Sequence, residues 1–95
     1  MAKAEHGRSV QATIVNPLGL HARSAAKIAQ IARQAKGKVR VECNRSQVDA
    51  KDMLDLLTIA CPRGTTITVK IDDLRDTEIL EALVELIGSG FGETF

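Results

Sequence analysis

Tryptophan and tyrosine are absent from this chain of 95 residues, and its two phenylalanines, Phe91 and Phe95, fall within the last five positions. A core built from the rest of the chain is therefore aliphatic, and a surface meant to stack nucleobases has almost nothing to stack with. Cysteine is nearly as scarce. Cys43 and Cys61 form neither a CxxC pair nor a cluster with histidine, which argues against a metal site. With no secretory signal before them, the expectation is two reduced thiols in the cytoplasm. No apolar run is long enough to enter a membrane, and no linker, internal repeat or low-complexity segment interrupts the chain. Its length admits one domain over 1–95, with a flexible tail at 1–8 that includes a solvated His6 and a core over about 9–89.

An excess of charge of one sign is missing as well, since the net charge is only +1, but the charges are unevenly spread. Between Arg23 and Arg45 seven cations face Glu42 alone, whereas between Asp49 and Glu93 ten acids outnumber Lys51, Arg63, Lys70 and Arg75. Such a run is either the solvated faces of ordinary amphipathic elements or a surface that steers an acidic protein toward the first helix.

Periodicity supplies the elements. Val10, Ala12 and Ile14 alternate with Gln11 and Thr13, the period of a half-buried strand, until Asn16-Pro17-Leu18-Gly19 breaks it. Ala25, Ile28, Ala29 and Ala32 then share one helical face, and Gly37 is the expected stop. Val39, Val41 and Cys43 predict a second strand, Asn44-Arg45-Ser46 a turn, and Val48 with Ala50 a short antiparallel third strand. Asp49 to Ala60 reads as a helix whose apolar residues cover more than one face, ended by Pro62 and Gly64. Ile67, Val69 and Ile71 form a fourth strand. Asp76 is the expected N-cap of a last helix running to about Ile87, with Ile79, Leu83, Leu86 and Ile87 inward. The order β-α-β-β-α-β-α predicts an α+β two-layer domain, an open-faced β-sandwich with a four-stranded antiparallel sheet and three helices on one face.

The segment GLHARSAA, from Gly19 to Ala26, places His21 at the start of the first helix. A helix start presents N–H groups with no intrahelical acceptor and a partial positive charge, so an anion there is stabilised twice over. Arg23 adds a guanidinium shaped for phosphate oxygens. A nucleophilic imidazole thus stands beside a place for the anion it acquires. No second acid, base or metal ligand lies nearby in sequence, which favours acceptance and surrender of a charged group over hydrolysis. The plain alternative is a histidine that only caps its helix.

The run NPLGLHARSAAKIAQIA, with VDAKDMLDLLTIACPRGTTITV downstream, resembles the histidine-containing phosphocarrier (HPr) family of the bacterial phosphoenolpyruvate-dependent phosphotransferase system over roughly Val10 to Gly88. The resemblance implies a carrier and not an enzyme, with no cofactor and no metal. His21 matches the histidine that takes a phosphoryl group on Nδ1 from phosphorylated enzyme I and passes it to a histidine of an enzyme IIA-type acceptor. Arg23 matches the arginine that neutralises that group, and Ala22, Arg23 and Ser24 fall at its phosphate-binding positions. Ala22, Lys27, Gln30, Met53, Leu54 and Leu57 match docking positions, with core packing the other reading of the last three. The same resemblance implies a cytoplasmic monomer that neither binds nucleic acid nor inserts into a membrane.

Two positions depart from the family pattern. Ser24 stands where a proline is usual, and its hydroxyl either meets phosphate or solvates the helix end. Asp52 stands where many relatives carry a kinase-modified serine; it either resembles the modified state in part or simply stabilises the first turn of its helix. NPLGLHAR with the ending SGFGE looks somewhat like the nitrogen-related carriers, so sugar transport and regulatory relay both stay open. Two other readings are a regulatory paralogue acting by protein binding and, remotely, a nucleic-acid-binding module using the basic segment.

Overall fold

A computed structural model describes residues 7–93, and His6 and Phe95 lie outside the described residues. The elements run β1 (Arg8–Thr13), α1 (Ala22–Ala32), β2 (Val39–Cys43), β3 (Ser46–Asp49), α2 (Met53–Leu56), β4 (Thr66–Ile71), a 3₁₀ turn (Leu74–Asp76) and α3 (Thr77–Gly88). The expected order and layers hold. The sheet order is β1-β4-β2-β3, every neighbour antiparallel. Each crossover through α1 or α2 therefore joins parallel strands that leave room for one antiparallel strand between them, which sends the helices to one side.

The core lies between sheet and helices. Val39, Val41, Ile67, Val69 and Ile71 point inward from the alternating strands, against Ile28, Ala29 and Ala32 of α1 and Leu80, Leu83 and Ile87 of α3. The small alanines on α1 bring its backbone close to the layer beneath. On the opposite face Lys70 pairs with Glu42 at 3.0 Å and Arg40 with Asp72 at 2.8 Å. Cys43 and Cys61 are buried and free; burial, reinforced by the neighbouring Cys43 thiol, pushes the Cys61 thiol up to about 12.

Several boundaries differ from the periodic reading. Arg8, expected in the tail, opens β1 and pairs with Ile71. The β2–β3 turn is confined to Asn44 and Arg45, both at positive φ (50° and 70°), so Ser46 is the first residue of β3, paired with Cys43, and Ala50 lies beyond that strand. Positive φ at both central residues is the backbone that lets a two-residue hairpin follow the strand twist. The first helix ends at Ala32, before Gly37. The helix expected over Asp49 to Ala60 is only Met53–Leu56, because the chain tightens to i→i+3 bonds at Thr58 and Ile59 and turns Ile59 and Cys61 into the core. Leu80, not Ile79, is the fully buried residue in the first half of α3.

Asp76 sits at the N-cap position of α3 but makes no side-chain capping bond. Its buried carboxylate instead accepts the N–H groups of Lys36 (2.8 Å) and Gly37 (2.9 Å), tying the α1–β2 connection to α3. Asp73 does the capping, accepting the Arg75 N–H of the 3₁₀ turn at 2.9 Å. The Arg75 guanidinium holds the Asp73 carboxyl down at about 2.

Candidate functional site

The break after β1 is what aims His21. Asn16 is fully buried, its Nδ2 donating to Gly19 O at 2.8 Å. Gly19 turns the chain at φ 67°, in a space where a Cβ would meet Cys61 O at 2.5 Å. No other residue fits both conditions. Leu20 N–H then donates to Cys61 O at 2.9 Å, and His21 follows as the extended N-cap of α1.

His21 and Ser24 cap the helix reciprocally. Ser24 Oγ accepts the His21 N–H at 2.9 Å and donates toward Gly19 O and His21 O, while His21 Nδ1 accepts the Arg23 N–H at 3.3 Å. The serine is fully buried. Its hydroxyl is thus engaged at the helix start. The Arg23 side chain is exposed and makes no hydrogen bond or close ion pair among the described residues, though its charge acts on Glu93. An arginine so placed meets an incoming anion at little structural cost.

The other ring nitrogen has a partner the sequence pattern did not reveal. His21 Nε2–H donates to Glu93 Oε2 at 2.9 Å, and Glu93 Oε1 accepts from Asn16 Nδ2 at 3.1 Å. The His21 hydrogen bond holds the Glu93 carboxyl below the usual carboxylate range; desolvation opposes this, and the Asn16 bond and the charge of Arg23 reinforce it. The tautomer follows from these neighbours. An amide N–H only donates, so Nδ1 is the acceptor, its lone pair directed at the Arg23 N–H; an ionised carboxylate only accepts, so Nε2 carries the proton.

A hook at the end of α3 delivers Glu93. Gly90 N–H bonds Ile87 O and Phe91 N–H bonds Leu86 O, with Gly90 at φ 80°: the Schellman arrangement, in which an apolar residue two past the cap turns inward. Phe91 is fully buried. Lys27 Nζ closes the hook by donating to Phe91 O at 2.6 Å, so this lysine, expected on the docking rim, is engaged within the molecule. The legible signal was a glycine just past a helix end followed by the first aromatic of the chain; the Glu93 contact itself, 72 residues from His21, had none.

Around the site the remaining candidates separate clearly. Leu54 is 71% exposed and Leu57 40%, so neither is core, while Met53 is half-buried against it. Ala22 and Gln30 are exposed on α1. Leu18, in the turn before the site, is 69% exposed as well and was not singled out by periodicity. Asp52 caps α2 by accepting from Leu54 N–H (3.0 Å) and Asp55 N–H (3.3 Å), the structural reading of that position. The basic run does not form one face: Arg23 lies on α1 and Arg33 caps its end, but Arg40 is on the open side of the sheet, paired with Asp72. That arrangement gives no continuous track for nucleic acid.

The family model described as PTS HPr component phosphorylation site matches residues 8–89. The chain belongs to the HPr family. The phosphocarrier protein HPr of Cupriavidus necator is 41% identical over 81 residues, covering 85% of this chain and 91% of that protein. A phosphocarrier protein NPr of Shewanella violacea is 32% identical over 83 residues, covering 87% and 91%. Among solved structures, HPr of Thermoanaerobacter tengcongensis superposes with a TM-score of 0.86 at 32% identity, covering 93% of this chain and 99% of that one. This HPr-family chain thus has the open-faced fold of its relatives and their general phosphocarrier character. No helix among the described residues is long and apolar enough to cross a membrane.

Proposed function

We propose that this HPr-family protein accepts a phosphoryl group on Nδ1 of His21 from phosphorylated enzyme I and passes it to a histidine of an enzyme IIA-type acceptor in the cytoplasm. The observation that carries this reading is the orientation of the ring: Nε2–H is held by Glu93 while the Nδ1 lone pair lies at the helix N-terminus. In the transfer that lone pair leaves the Arg23 N–H and attacks phosphorus in line, the bond from phosphorus to the donor histidine breaks, and its electron pair returns to the donor ring. The arriving charge meets N–H groups of the first turn of α1 and the exposed Arg23 guanidinium. The protein is modified by one partner and unmodified by the next, so it is a carrier and not an enzyme.

Leu18, Leu54 and Leu57 supply an apolar docking surface beside the site, with Ala22, Gln30 and Met53 at its margin. A shared, transient interface for donor and acceptor needs only a small patch of this kind. Incubation with enzyme I, phosphoenolpyruvate and magnesium is expected to add one phosphoryl group by intact mass, which an enzyme IIA-type acceptor then removes. The acceptor that discharges it, from the sugar branch or the nitrogen branch, assigns the branch. A folded protein that enzyme I leaves unmodified, while it modifies another carrier, would point instead to a regulator acting by protein binding.

A further inference from the structure

The geometry points to Glu93 as a positioning residue that keeps the proton on Nε2 of His21 throughout the transfer cycle, orienting Nδ1 for attack and keeping the phosphorylated ring ready to give its group away. The inference rests on His21 being the phosphoryl acceptor. Glu93 Oε2 lies 2.9 Å from Nε2, and its other oxygen is held by Asn16, so the carboxylate is fixed from both sides. A carboxylate that orients an imidazole and stabilises the cation formed on it is the division of labour found in hydrolytic triads.

The chemistry makes that proton matter twice. When neutral His21 attacks phosphorus through Nδ1, the ring keeps Nε2–H and becomes a phosphorylated imidazolium, whose positive charge faces Glu93. When the group leaves for the acceptor, the N–P electron pair returns to a ring that still carries Nε2–H, so the leaving group is neutral imidazole. Loss of that proton would make it an imidazolate, a far poorer leaving group. Among the described residues the charged groups about the ring are Glu93 from the hook and Arg23 on α1, with Lys27 of α1 held at Phe91 O.

Backbone strain marks the hook as built for this placement. Phe91 sits at φ 61°, between Gly90 at 80° and Gly92 at 73°. An aromatic residue in the left-handed region is sterically strained and persists only where its surroundings enforce it. Burial of the Phe91 ring and the bond from Lys27 do so here, and the product of that path is Glu93 on His21.

Glu93→Gln and Glu93→Ala test the assignment, since glutamine keeps an acceptor for Nε2–H without charge and alanine keeps neither. Ring ¹⁵N shifts of the unphosphorylated proteins, at a pH where the ring is neutral, are expected to show Nε2–H held in the wild type and the glutamine variant and a mixture of tautomers in the alanine variant. For the phosphoproteins the rate of phosphate loss falls as pH rises and the ring proton leaves. That fall is expected about one pH unit lower in both variants, with transfer to the acceptor slowed about tenfold at neutral pH. Identical shifts, profiles and transfer rates in all three proteins would overturn the role of Glu93 and leave His21 as acceptor. Acid-labile phosphate retained in His21→Ala would overturn both.

Discussion

At the residue scale, the site separates groups that hold the molecule together from groups left for chemistry. Arg23 is exposed and makes no hydrogen bond or close ion pair among the described residues, so Arg23→Ala is expected to slow phosphoryl transfer about tenfold or more while the melting temperature stays within the small range of surface substitutions. Equal losses in rate and stability would make the arginine structural. The low carboxyl of Glu93 has a pH signature with a definite sign. A carboxyl lowered on folding stabilises the folded hook above its unfolded value, about 4.3 for glutamate, and that contribution is lost as pH falls through the lower folded value. Amide signals of residues 89–93 are therefore expected to shift between about pH 4.3 and lower values, whereas a hook unaffected by acid would contradict the His21–Glu93 bond. His21, Arg23 and the turn before them were legible because glycine, proline and a helical repeat mark that helix start. Both readings of Ser24 stayed open, since a hydroxyl at the third helical position serves phosphate and capping equally well in sequence; its burial and hydrogen bonds show the capping.

At the scale of elements, two substitutions probe connections that periodicity did not resolve. Arg45 holds a φ of 70° in the β2–β3 turn, a conformation with a steric penalty for any side chain. Arg45→Gly is expected to stabilise the protein by about 0.5–1 kcal/mol in chemical denaturation, a gain absent if the turn relaxes in solution. Asp76→Ala removes the acceptor of two backbone N–H groups and is expected to cost about 1–3 kcal/mol, lowering the melting temperature by several degrees. A loss of a few tenths would mean that Asp76 acts only as an exposed cap. Asp76 looked like a cap because a short acid precedes an apolar helix; its partners, 40 and 39 residues away, are set by packing of the α1–β2 connection. The second helix was overestimated for a related reason. Leu56 and Ile59 are apolar at a spacing that suits a helix and also suits a short helix followed by tight turns into the core.

At the scale of the whole molecule, the alternation of strands and the helical faces of α1 and α3 specified the order of elements and the two layers. The strand order β1-β4-β2-β3 was not legible, because pairing β1 with β4 depends on contacts more than fifty residues apart. That same closure brings the end of α3 back to the start of α1, where the hook from one supplies the ring partner at the other. The basic run of the sequence dissolves at this scale, divided between α1 and the open face of the sheet, so charge along the chain was a poor guide to charge in space. The most direct test of the central claim is phosphorus NMR of the protein phosphorylated by enzyme I and phosphoenolpyruvate. An Nδ1-phosphohistidine signal that disappears on brief acidification and is absent from His21→Ala is the result expected. A signal that persists in His21→Ala, or one assigned to Nε2, would contradict the account.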